Sequence, residues 1–239
     1  MKKLLVLSLL IVAGQVAAWG QTVNIHMKDG SVLKYDASGV DYVNFSAEST
    51  TPEEHEAVDL GLPSGLKWAA CNIGATKPEE AGYYICWGEL EVKEECGGNN
   101  YKWRNSIGSI TKYNDNNSGV LELEDDAANV LWGGSWRYPT KLECQELVNK
   151  CKRTATTQNG VQGYLFTGPN GNSIFLPTCG FKSGKEIKDS SKGYYWTRDV
   201  DQARRSRAQD FYLTDNTVLS PYQVIERWYG LNIRAVTSN

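Results

Sequence analysis

The run Leu131–Leu147, LWGGSWRYPTKLECQEL, constrains the fold more than any other stretch of the chain. Its second half is a helix start. The Thr140 hydroxyl can accept from the backbone N–H three residues on, and Glu143 can reach back to the Thr140 N–H, the reciprocal pair of a capping box. Pro139 disfavours helical geometry at Tyr138, so the helix cannot begin earlier. Cys144, Leu147, Val148 and Cys151 then recur at the spacing of one buried helix face. This predicts a helix from about Lys141 to near Cys151. The first half, with Trp132 and Trp136 about Gly133-Gly134, reads as an aromatic lead-in. The chain holds 8 Trp, 13 Tyr and 23 Gly, a mix that suits short strands and long loops better than a helical bundle. The expected class is α+β.

The chain opens MKKLLVLSLLIVAGQVAAWGQ. Lys2 and Lys3, the apolar run Leu4–Ala13 and the small-x-small site Ala18-Trp19-Gly20 together read as a secretory signal peptide over 1–20. The apolar run is too short to favour a membrane anchor. No cysteine follows it to take a lipid, and no other segment is apolar enough to span a bilayer. The expectation is export to the periplasm, the cell surface or the medium. A formal net charge of -3 argues against a general nucleic-acid binder.

All six cysteines, Cys71, Cys86, Cys96, Cys144, Cys151 and Cys179, lie beyond that segment. An even count in an exported chain predicts at least one disulfide. Cys144 with Cys151 is excluded: seven residues of helix separate their Cα atoms by ~10 Å, and a bridge needs less than roughly 7 Å. A zinc site is disfavoured, since there is no CxxC pair and no histidine beside a cysteine.

Residues 21–50 read as a small β unit. Val23, Ile25 and Met27 alternate with polar residues, Asp29-Gly30 is a hairpin turn signal, and Val32-Leu33 begin the return strand. Val40, Tyr42 and Phe45 indicate a third strand. Residues 51–57 are a polar, acidic linker, and the main domain spans 58–239. Within it, strands are expected near 66–71, in GYYICWGEL, at 162–167 and 173–176 about Pro169-Asn170-Gly171, and in GYYWTRD, AQDFYLT and YGLNIRAV. A helix over 200–209 is a weaker alternative. Residues 92–119 read as long loops. LELEDDAANVLW reads as a helical turn with Asp125 and Asp126 at its positive end.

Several stretches come in a telling order: VDLGLPSGLKWAACNIGA, AGYYICWGE, LELEDDAANVLWGGSWRYPTKLE, TGPNGNSIFLP, GYYWTR and YGLNIRAV. Together they resemble the Fibrobacter succinogenes major paralogous domain family over about Val58 to Val236. The resemblance implies a C-type-lectin-like fold, on the branch of the formylglycine-generating enzyme, with short twisted antiparallel sheets. It also implies that Trp132 and Trp136 fill core space, that Arg137 pairs with a buried backbone or carboxylate group, and that YGLNIRAV is a closing strand beside the start of the domain.

Three chemistries compete. The formylglycine-generating enzymes use cysteines in the C-terminal third, and Trp196 to Val236 has none. Both histidines, His26 and His55, precede residue 58, so a His-based triad or metal site is not expected in the main domain. A carboxylate-based hydrolase ranks third. A structural calcium ion is a secondary expectation on Asp115, Asn117, Glu124, Asp125 and Asp126, which are oxygen-bearing and close in sequence. The leading expectation is a non-catalytic binder that recognises an extracellular glycan or protein, as an adhesin would. Its candidate face is the loops at 182–192, 197–207 and 215–228, with Arg198, Asp199, Arg204, Arg205, Arg207, Tyr222, Gln223, Arg227 and Trp228. Exposed aromatics and arginines are hot-spot chemistry, and aromatic faces stack on sugars. The competing class is a structural or assembly subunit of a cell-surface complex.

Overall fold

The computed structural model describes residues 22–26, 32–36, 55–114, 119–214 and 223–238. The chain divides into two compact units, 1–50 and 51–239. In the first, β1 (Thr22–His26) and β2 (Val32–Asp36) pair antiparallel, from Thr22 opposite Asp36 to His26 opposite Val32. The segment 1–20 expected to be a signal peptide, most of the expected linker and the third strand expected around Val40–Phe45 lie outside the described residues.

The second unit is α+β, with open sheets that do not close into a barrel. Its early strands are β3 (Ala57–Asp59), β4 (Lys67–Ala69) and β5 (Ile85–Cys86). Two helices follow, α1 (Ala127–Trp132) and α2 (Lys141–Lys150). Then come β6 (Lys152–Gln158), β7 (Val161–Thr167), β8 (Ser173–Pro177), β9 (Phe181–Ser183) and β10 (Glu186–Lys188). The last are β11 (Gly193–Val200), β12 (Arg207–Leu213), β13 (Gln223–Glu226), β14 (Gly230–Leu231) and β15 (Val236–Thr237). They form four antiparallel sheets, ordered β15-β4-β3, β10-β9-β14-β5, β6-β7-β8 and β11-β12-β13. The expected closing strand is present in two parts: β15 pairs with β4, which in turn pairs with β3, and β14 pairs with β5. No helix among the described residues is long and apolar enough to cross a membrane.

The capped helix forms as its sequence dictates. Thr140 Oγ1 accepts from Glu143 N at 3.2 Å, and Thr140 N donates to Glu143 Oε2 at 2.7 Å. Cys144, Leu147 and Cys151 are buried. Arg137 clamps Glu143 with both terminal nitrogens, at 2.8 and 2.5 Å, so the lead-in and the helix are tied together. The glycines are needed for their backbone: Gly133 and Gly134 have φ of 73° and 58°. Trp132 and Trp136 are only half-buried and meet edge to face at 5.1 Å, so they cover the core rather than fill it.

Strand β6 was not expected. Its sequence KRTATTQ is polar on both faces, so it lacks the alternation that marks a half-buried strand. The usable signal is the next dipeptide, Asn159-Gly160, with φ of 48° and 85°, a two-residue hairpin turn into β7. The loops expected at 182–192 and 197–207 are also shorter than predicted, because β9–β10 is a hairpin and β11 runs to Val200. Residues 207–209 are strand, not helix.

The expected disulfide is overturned: all six cysteines are free thiols. Cys144 and Cys151 are packed among the apolar residues of the core around Trp68 and Phe166. Cys86 and Cys96 join Tyr101 in a smaller cluster, where the Cys86 thiol donates to the Trp228 carbonyl at 3.3 Å. Cys71 and Cys179 are half-buried. These side chains act as small apolar packing, which an even count does not distinguish from cross-linking.

Arg234, between β14 and β15, is 1% exposed and has no carboxylate partner among the described residues. It donates to Asn72 Oδ1 at 2.8 Å, to the Ala69 and Ala70 carbonyls at 3.2 and 2.9 Å, and to the Phe175 carbonyl at 2.9 Å. One side chain thus ties β4, the following loop and β8. Arg234→Met should strand these acceptors and lower the unfolding free energy by about 3 kcal/mol or more. Urea denaturation checks this, and a loss below about 1 kcal/mol would contradict the bridging role.

Candidate functional site

The nine residues expected on the loop face divide sharply. Arg227 is a correction: it is fully buried and cannot contact a ligand. Its guanidinium lies 4.6, 5.4 and 5.6 Å from the rings of Trp87, Tyr101 and Tyr113. It donates to Tyr101 Oη at 2.8 Å and to the Lys112 and Arg205 carbonyls at 3.1 and 3.0 Å. Three electron-rich faces and two carbonyls take the place of a counter-ion.

Arg198 and Asp199 are spent on the scaffold. Arg198 Nη2 donates to the Leu121 carbonyl at 2.6 Å, and Asp199 Oδ2 accepts from Lys141 N at 2.7 Å at the start of α2. Arg207 pairs with Glu226 at 2.8 Å across β12 and β13. Arg204 and Gln223 are exposed, and Arg205 is half-buried. Tyr222 lies outside the described residues.

Trp228 is half-buried and lines a surface groove. Two adjoining clefts make it, of about 380 and 430 Å³, and both include Gly98, Asn99 and Arg104. Arg104 lies over the Trp228 ring at 5.1 Å, and Tyr101 meets that ring at 6.4 Å. Gly98 makes this stack fit, because a Cβ there would come 2.6 Å from Arg104 Nη1. The floor is braced locally. Asn100 Oδ1 accepts from Gly97 N at 3.1 Å, and Asn100 Nδ2 donates to the Glu95 carbonyl at 2.7 Å. Asn99, Asn105 and Ser106 are exposed along the wall, and Ile107 at the rim is 85% exposed. The sequence reading passed over 95–108 as loop. Its signal was a Gly-Gly-Asn-Asn run just before Trp103-Arg104.

The acidic candidates also divide. Asp115 and Asn117 lie outside the described residues. Glu124 and Asp125 converge with Glu122, their ligand oxygens all within 4.8 Å. Lys112 Nζ already donates into that cluster, at 2.7 Å to Asp125 and 2.8 Å to Glu122 and Glu124. Burial alone would lower the Lys112 pKa, but these carboxylates outweigh it and raise it. Asp126 is a correction, since it faces elsewhere. It caps α1 through Ala128 N and Asn129 N at 2.9 and 3.1 Å, and holds Tyr138 N at 2.8 Å. Burial pushes its carboxyl up to about 6 despite those three donors.

A further cleft, of about 510 Å³, is lined by His55, Glu56, Cys71, Thr76, Tyr83 and Trp132. Here the expectation that both histidines stand apart from the main fold fails. His55 belongs to the second unit and stacks on Trp132, with centroids 3.9 Å apart and planes at 16°. Burial pushes the Cys71 thiol up; Arg234 opposes this, and Glu56, Glu80 and Glu79 add to it. The thiol is thus held away from the reactive thiolate form.

Asp210 on β12 is fully buried, and neither carboxyl oxygen has a hydrogen-bond partner among the described residues. Burial pushes it up to about 7 from an ordinary 3.8. A carboxyl raised on folding contributes stability that is present below about 4 and lost as pH rises through about 7. Asp210→Asn should therefore flatten the fall in unfolding free energy between pH 4.5 and 7.5, read by urea titration against the parent protein. An unchanged slope would contradict the assignment.

No protein-family model, curated protein or solved structure matches the chain.

Proposed function

We propose that this is an exported, non-catalytic binding protein that recognises a glycan through the Trp228–Arg104 groove. The observation that carries the reading is the Arg104–Trp228 stack above a glycine floor, flanked by exposed amides. An aromatic ring braced from behind offers a stacking face at little entropic cost. Arg104, Asn99 and Asn105 supply directional donors to fix orientation. The groove lies in loops carried by short sheets, the usual division between rigid scaffold and recognising surface. We also propose that the second unit is a C-type-lectin-like domain of the Fibrobacter succinogenes major paralogous kind. The motifs support this, and so does the pairing of the C-terminal strand beside the start of the unit. The segment 1–20, read as a signal peptide, supports export.

The test is a glycan array probed with the purified protein, in calcium and in chelator. Asn99→Ala and Arg104→Ala should each weaken binding to the leading glycan, Arg104→Ala by about tenfold or more. Circular dichroism should show both variants folded. Retention in chelator is expected, because Lys112 occupies the acidic cluster. Absence of any glycan signal, with capture of a protein through the Ile107 rim, would favour the assembly-subunit reading instead.

A further inference from the structure

The second cleft differs from the groove in chemistry. Its walls are aromatic: the His55–Trp132 stack on one part and Tyr83 on another. Tyr83 is 43% exposed. The Cγ end of its ring lies against Gly74, where a Cβ would sit 2.5 Å away, so Gly74 lets the ring settle on the backbone. The Tyr83 backbone is fixed by its N–H to the Ile73 carbonyl at 2.8 Å and by Asn232 Nδ2 donating to its carbonyl at 3.2 Å. The ring itself is not needed for either bond.

The polar lining includes one carboxylate, that of Glu56. Glu56 is exposed, and its carboxylate makes no hydrogen bond or ion pair among the described residues. Glu79 and Glu80 stand nearby, held by neutral donors: Gln158 and Asn159 at 3.1 and 2.6 Å for Glu79, and Thr76 N and Lys77 N at 2.8 and 3.2 Å for Glu80. Against these three charges stand the exposed Lys77 and the buried Arg234, whose donors are spent on carbonyls and Asn72. Among the described residues no lysine or arginine lines the cleft.

A cavity with aromatic faces and an unpaired carboxylate attracts one class of ligand above others. The ring quadrupoles favour a positive charge over their faces, and such attraction grows when the cation is weakly hydrated. The carboxylate repels anions and gains a partner only from a cation. We propose that this cleft is a binding site for a small organic ammonium ion, seated between Tyr83 and the His55–Trp132 stack with Glu56 as its counter-charge. It is independent of the groove, whose lining pairs an aromatic ring with Arg104.

The experiment is calorimetric titration of the full-length purified protein with choline chloride, with sodium chloride as the ionic-strength control. The matched probe is the uncharged isostere of choline, in which carbon replaces the nitrogen. Saturable binding of choline and none of the isostere is expected. Glu56→Gln should weaken choline binding about fivefold, and Tyr83→Leu about tenfold, with thermal unfolding unchanged. Equal binding of choline and the isostere would overturn the proposal, as would no binding of either. Full retention of choline affinity in both variants would place any cation elsewhere and also overturn it.

Discussion

The buried segment Gly230–Thr237 is the constraint on which the second unit depends. All eight residues are buried. Gly230 lies opposite Cys86 of β5 and Lys182 of β9; Asn232 bridges Tyr195 of β11; Val236 pairs with Trp68 of β4 and bridges Arg137. Between the strands, Ile73 N and Ala69 N donate to the Ile233 and Ala235 carbonyls at 3.0 and 2.9 Å. A strand threaded through several neighbours must satisfy its own polar groups at every step, because water cannot reach them. Arg234 extends the same logic to a side chain, and Asn232 does so with the Ala81 and Tyr83 carbonyls at 2.9 and 3.2 Å. Two of the four sheets, β15-β4-β3 and β10-β9-β14-β5, take a strand from this segment.

The two buried arginines solve one physical problem in two ways. A charge removed from water needs either a counter-ion or enough dipoles. Arg234 uses carbonyls and an amide. Arg227 uses carbonyls, a phenol and three aromatic faces. For both, burial lowers the guanidinium pKa. The second solution bears on the groove. Arg227 immobilises Tyr101, and Tyr101 meets the Trp228 ring. The residue expected to touch a ligand instead fixes the ring beside Trp228.

What was legible in the sequence was local. Thr140, Glu143 and Pro139 specified α2 because capping needs only neighbours within one turn. Pro169-Asn170-Gly171 marked the β7–β8 hairpin for the same reason. The strand at YGLNIRAV was readable as a motif, but not its course through the centre. The groove was illegible because Arg104 and Trp228 come from distant parts of the chain, and nothing near either one signals the other. Arg227 misled because an arginine between a glutamate and a tryptophan looks like surface. The aromatic side chains of Trp87, Tyr101 and Tyr113, over a hundred residues earlier, together with the Lys112 and Arg205 carbonyls, make burial tolerable. The cysteines misled because their count carries no information about spacing in three dimensions.

The same fold presents two clefts with aromatic walls and different charged groups beside the rings. In one, Arg104 covers Trp228 and the flanking groups are amides and the Glu95 carboxylate. In the other, Tyr83 and Trp132 flank a carboxylate. Glycine is the common device: Gly98 admits the arginine over the indole, and Gly74 admits the tyrosine onto the backbone. At each place a missing Cβ lets a large flat side chain settle at the surface with part of the ring still open to solvent. Aromatic residues held this way lose little further entropy when a ligand arrives, which is the condition for a preorganised site. The nearby charge then selects the ligand. An indole under a guanidinium suits neutral or acidic polyols, and rings beside an unpaired carboxylate suit cations. Selectivity of this kind requires no change to the scaffold, only a different side chain beside each ring.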